Sequence, residues 1–95
     1  MGVYVILSKL TDDGAKTLQK NPERVKEVND ELERMGVRVI QQYVVFGEYD
    51  FVNIVEAENN IDVMKAMVEL ASRGTIRTIT LPAVEVDEFL SSLKS

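Results

Sequence analysis

Ninety-five residues, 45% hydrophobic and 28% charged, read as one soluble globular domain spanning 1–95, too apolar for disorder and too short for a second domain. No cysteine means no disulfide or thiolate metal site. No histidine removes the commonest general base and the commonest metal or haem ligand, and a net charge of -5 repels a phosphate backbone. No apolar run approaches the ~20 residues of a membrane span, and the N-terminus lacks the basic start and cleavage site of a signal peptide. The expectation is a cytoplasmic protein without cofactor, metal, nucleic-acid partner or membrane partner. A chain of this size buries only about two-thirds of its unfolded surface, so self-association is the natural source of further stability.

The first strand is expected over 3–8, where Val3, Val5 and Leu7 point to one side and Tyr4, Ile6 and Ser8 to the other. Thr11 caps a short helix running through Leu18, with Asp12 and Asp13 in its first turn and Gly14 weakening it. Asn21-Pro22-Glu23 starts a second helix, whose buried stripe is Val25, Val28, Leu32 and Met35 and whose stop is Gly36. Lys26, Glu27, Asp30, Glu31 and Arg34 form its solvated face, with Asp30 and Arg34 spaced for an ion pair. Strands over 37–46 and 49–57 then make a hairpin about Gly47 and Glu48. Asn59 or Asn60 caps the next helix. Its expected inner stripe is Ile61, Met64, Val68 and Ala71, widened by Met67 and Leu70, with Met64 and Met67 as core filler. Ser72-Arg73-Gly74 stops it, and Arg73 is expected to satisfy the terminal carbonyls. A fourth strand over 75–81 ends at Pro82. A terminal helix over 86–93 offers Val86, Phe89, Leu90 and Leu93 for docking.

This order is the α+β, ferredoxin-like split β-α-β arrangement, βαββαβ plus a C-terminal helix, with a four-stranded antiparallel sheet. Right-handed crossovers place both helical connections on one sheet face. The covered face is assigned Val3, Val5, Leu7, Val52 and Ile54, and the open face Tyr4, Ile6, Ser8, Phe51, Asn53 and Val55. So apolar an open face calls for a second copy laid over it, as a homodimer or a higher homo-oligomer.

Gly47-Glu48-Tyr49-Asp50 is the most distinctive local feature: Gly47 suits positive φ, Asp50 can accept nearby backbone N–H groups, and Tyr49 brings an amphipathic ring to the rim. With Tyr4-Val5-Ile6-Leu7-Ser8-Lys9-Leu10-Thr11, Asn21-Pro22-Glu23-Arg24, Ile54-Val55-Glu56-Ala57, Ser72-Arg73-Gly74-Thr75-Ile76-Arg77-Thr78 and Val86-Asp87-Glu88-Phe89, it makes the chain resemble the GYD-domain family. The resemblance implies the dimeric α/β-barrel version of the ferredoxin-like fold and says little about activity. A wider likeness, to the effector-binding domain of leucine-responsive regulators, implies ligand sensing at most, since this acidic chain has no helix-turn-helix segment.

Arg77 interrupts an apolar strand. On the open face it would join Ser8, Asn53 and Gln42 and clamp a carboxylate or phosphate; otherwise it would pair with Glu48, Asp50 or Glu56. The register of Gln41-Gln42-Tyr43 is undetermined, an edge position or a bulge being the plain reading. The candidate ligand-binding residues are thus Tyr4, Ser8, Gln42, Tyr49, Asp50, Asn53 and Arg77, for a small polar or anionic metabolite held between the sheet and a partner subunit. No catalytic residue is assigned. The alternatives are a cofactor-independent monooxygenase or isomerase and a purely structural or protein-interaction subunit.

Overall fold

The computed structural model describes residues 1–94. Strand β1 (Gly2–Leu10) is rich in β-branched residues and lies inside an antiparallel sheet, between β3 (Phe51–Ala57) and β4 (Ile76–Ala83). β2 (Val37–Val44) pairs with β3 alone, giving the order β2-β3-β1-β4 of a ferredoxin-like sheet. The first crossover is a broken helix. α1 (Asp12–Lys20) starts where the Thr11 hydroxyl accepts the Gly14 N–H at 3.1 Å; the chain turns at Asn21-Pro22-Glu23; α2 (Arg24–Arg34) follows. The second crossover, α3 (Asn60–Ser72), is capped by Asn59, whose side chain accepts the Asp62 N–H at 3.0 Å.

Both crossovers cover one sheet face, but the two rows of β1 are interchanged relative to the sequence reading. Tyr4, Ile6 and Ser8, with Val55, are buried beneath the helices, whereas Val3, Val5, Leu7, Val52 and Ile54 lie on the open side and are only half-buried. Alternation sorts side chains into two sets without saying which set meets the helices, and here both sets are apolar. The open face is still greasy: Ile79 and Leu81 of β4, opposite Leu7 and Val5, remain 46% and 47% exposed.

A similar ambiguity operates in α3. Val63, Ala66 and Leu70 point inward and Met67 packs against them, while Ile61, Met64 and Val68 are 65%, 62% and 69% exposed and Ala71 is exposed as well. Met67 is core filler; Met64 is not. The core itself is small. Tyr4, Ile6, Leu32, Val37, Val55, Ala57, Val63, Ala66 and Leu70 form it, and among the described residues only Val37 and Val55 are large side chains with essentially no exposure.

Other boundaries also differ. The connection between β2 and β3 runs over 45–50, longer than the expected two-residue turn, and Tyr49 lies in it. Pro82 does not end its strand: β4 is an edge, so a residue without an N–H can sit in register with Tyr4. α4 (Val86–Leu93) has no buried residue, leaving Val86, Phe89, Leu90 and Leu93 in solvent on a single chain.

Candidate functional site

The broken crossover leaves space. A cavity of about 250 Å³ lies between the helix-covered sheet face and α1, α2 and α3. Its walls are mainly aliphatic: Leu10, Leu18, Val25, Val28, Leu32 and Ile76, with Phe51 and Met67. Val25, Val28 and Leu32 of the α2 stripe foreseen from the sequence supply one wall, and Met35 lies outside it. Gly14, Thr17 and Leu18 of α1 also line the cavity, and Gly14 is held tightly against the backbone at the entry to β4. A Cβ on Gly14 would lie 2.0 Å from the Thr75 carbonyl oxygen. Two further bonds fix this approach: Thr11 N–H donates to Thr75 O at 2.9 Å, and the Thr11 hydroxyl donates to Gly74 O at 2.8 Å. Gly14 is therefore required by close packing rather than being a weak point of the helix.

Ser8, Gln42 and Asn53 bring polar groups to the cavity. A bulge between Val39 and Gln41 sets the register of β2, placing Gln42 opposite Asn53 on the covered side and turning Gln41 and Tyr43 to the open side. The Gln42 amide is already engaged, exchanging hydrogen bonds of 2.9 and 3.3 Å with Asn29 of α2. Asn53 is different: its Oδ1 is buried and has no hydrogen-bond partner among the described residues. A buried amide oxygen without a donor costs about 1–3 kcal/mol. Asn53 itself is among the residues lining the cavity.

The other candidate residues lie elsewhere. Tyr4 is buried outside the cavity, and its hydroxyl donates to Asn60 Oδ1 at the start of α3. Asp50 holds the sheet end together. Its Oδ2 accepts the Leu10 N–H at 2.8 Å, its own N–H donates to Ser8 O at 2.8 Å, and its carbonyl accepts from Val45 N–H at 2.9 Å. Gly47 takes φ 105° in the same connection, and Tyr49 is half-buried beside it. Arg77 pairs with Lys9 across β1 and β4 and so stands on the open face, opposite to Ser8, Asn53 and Gln42. The expected anion clamp does not form, and neither do the pairings foreseen with Asp50 and Glu56: Asp50 is occupied as described, and Glu56 faces Arg38 at 3.7 Å.

A charged cluster that sequence reading missed flanks the cavity. Glu31 of α2 accepts both guanidinium ends of Arg73, at 2.9 and 3.3 Å, and also faces Arg24 at 3.3 Å. Arg24 further contacts Glu27 at 3.2 Å, and Arg73 contacts Glu69 at 3.2 Å. Arg73 thus ties α2 to α3 instead of capping carbonyls, and Arg24 replaces the foreseen Asp30–Arg34 pair. The Arg73 hydrogen bonds hold the Glu31 carboxyl below its ordinary value of 4.5, and Glu31 in turn raises Arg73. A carboxyl lowered by folding contributes stability that is complete above its unfolded pKa and fades as pH falls through the folded one. Glu31→Gln should therefore lower the melting temperature by about 4–8 °C near neutral pH, the equivalent of about 1 kcal/mol in a domain this size. Its stability should also fall less steeply than the wild type's below pH 4.5. Thermal melts across an acid series check both.

Known proteins place this architecture. The GYD domain profile matches residues 4–93. The chain belongs to the GYD-domain family. A protein of Thermus thermophilus named glutamine synthetase and cystathionine beta-lyase binding protein is 59% identical over 95 residues, covering 99% of this chain and all of that one. Among solved structures, FFRP-DM1 superposes with a TM-score of 0.60 at 27% identity, over 88% of this chain and 100% of that chain. TTHA0845, also from Thermus thermophilus, shares the fold at 22% identity and a TM-score of 0.56, over 90% of this chain and 95% of that one. In this GYD domain the block Gly47, Tyr49 and Asp50 closes the sheet end beside Ser8 and Leu10, which themselves line the cavity. Among the described residues, no group of three or more carboxylates converges as a metal site, and no helix is long and apolar enough to cross a membrane.

Proposed function

We propose that this GYD domain is a homo-oligomeric protein-binding module that associates with metabolic enzymes, glutamine synthetase and cystathionine beta-lyase being the first candidates. The observation that carries this is the 59% identity, end to end, with a relative bearing that name. The exposed surface supports it. The open sheet face of Val3, Val5, Leu7, Val52, Ile54, Ile79 and Leu81 suits a second copy, because a twofold operator lays the same apolar rows on one another. The outward side of α3, with Ile61, Met64 and Val68, lies on the opposite side of the molecule and stays free when that face is covered. Mixing the protein with glutamine synthetase and with cystathionine beta-lyase of its own organism, each purified, should give a co-sedimenting complex with at least one of them. Independent sedimentation of both enzymes would contradict the proposal.

A second reading is favoured by one observation, the unpartnered Asn53 amide at the cavity wall. It makes the module a small-molecule binder as well, with the ligand beneath the helices and not on the exposed sheet between subunits.

A further inference from the structure

The second reading leaves open what kind of molecule the cavity accepts, and the lining narrows the choice. We infer that the cavity binds a neutral, compact molecule with an apolar body and a carboxamide or lactam head, the head pairing with Asn53 beside Ser8. This rests on the small-molecule reading and is independent of enzyme binding.

Size comes first. A cavity of about 150 Å³ holds benzene, so 250 Å³ here corresponds to about ten non-hydrogen atoms. Charge comes next. Arg24 and Arg73 are the cations along the lining, and both are taken up by Glu31. Glu27 and Glu69 add two more carboxylates to the same cluster, so an entering anion meets two guanidinium groups already opposed by three carboxylates. A cation would have to enter an aliphatic interior with no acidic side chain among its lining residues. A neutral ligand is what remains. The head group follows from Asn53. Its side chain carries one acceptor and two donors, and its Oδ1 is buried and unpaired; rotation about the soft terminal torsion of the amide brings that oxygen to the cavity, where a group that donates and accepts on one edge satisfies it. A primary carboxamide and a cis-amide lactam both do so. The 4% exposed Ser8 adds a hydroxyl next along the wall, its hydrogen free to rotate toward a carbonyl. Leu18, Val25, Val28 and Phe51 then enclose the apolar body.

Three probes of similar size separate the possibilities: benzamide, benzoate and ethylbenzene, titrated at pH 7 and followed by amide NMR shifts and thermal melts. Benzamide is expected to bind saturably, to raise the melting temperature and to move the resonances of Ser8 and Asn53. Benzoate should bind at least about 10-fold more weakly, one charged group poorly placed being worth more than about 1.4 kcal/mol. Asn53→Leu, which replaces the unpaired amide with an apolar side chain of similar volume, should fold with a higher melting temperature, lose benzamide about 10-fold and keep ethylbenzene. Benzoate binding as tightly as benzamide, or benzamide shifts centred on Val5 and Ile79 of the open face, would overturn the inference. Ethylbenzene bound in preference to benzamide by the wild type would sink the amide head while leaving a small-molecule site in place. Failure of all three probes at millimolar concentration would sink both.

Discussion

Gly14→Ala is expected to destabilise the protein by about 3 kcal/mol or more, at the upper end of what overpacking costs. Most core enlargements are relieved by rotation of a neighbouring side chain. Here the obstacle is backbone, the Thr75 carbonyl oxygen 2.0 Å from the new methyl carbon, and that carbonyl is held in place by the Thr11 N–H. Relief requires α1 to move off the start of β4, which breaks the bonds from Thr11 to Gly74 and Thr75 together. The domain has few fully buried side chains to absorb the loss. A fall of more than about 12 °C in melting temperature is the expected reading in a domain of this size. Gly74→Ala makes a useful comparison: nothing lies within 4 Å of its added carbon, so its effect arises only from a φ of 73° and should be smaller, about 1–2 kcal/mol.

Leu7→Glu should dissociate the proposed homo-oligomer while leaving the single chain folded. Leu7 sits on β1 in the middle of the open face, opposite Val52 on one side and Ile79 on the other. On an isolated chain the new carboxylate reaches water. Between two copies it loses its hydration with apolar neighbours all round, and an uncompensated buried charge costs about 3–5 kcal/mol. Self-association should weaken at least about 100-fold. Unchanged circular dichroism with a reduced mass is the expected pattern; an unchanged mass would place the subunit contact elsewhere.

Much of this fold is legible in the residues because its punctuation is chemical. Thr11 and Asn59 cap where side-chain oxygens meet orphan N–H groups, Asn21-Pro22 breaks the first crossover, and Gly36 takes the φ of 88° that ends α2. What is not legible is which way an element faces. β1 carries Val3, Val5 and Leu7 on one side and Tyr4, Ile6 and Ser8 on the other, and hydrophobicity alone does not rank them. α3 likewise offers two apolar sets at helical spacing. The sheet takes the set containing Ala66, which is buried completely. That exchange of faces moved Ser8, Gln42 and Asn53 together to the inside and left Arg77 outside, so three of the seven candidate residues meet in one cavity. The Glu31–Arg73 link was beyond reach, since it joins residues of two helices that only the assembled sheet brings side by side.

The most direct test of the central claim is sedimentation equilibrium of the wild-type protein at micromolar concentration. Covering of the open sheet face by a second copy predicts a mass of two or more chains of 10.7 kDa. A stable, soluble species of one chain would contradict it.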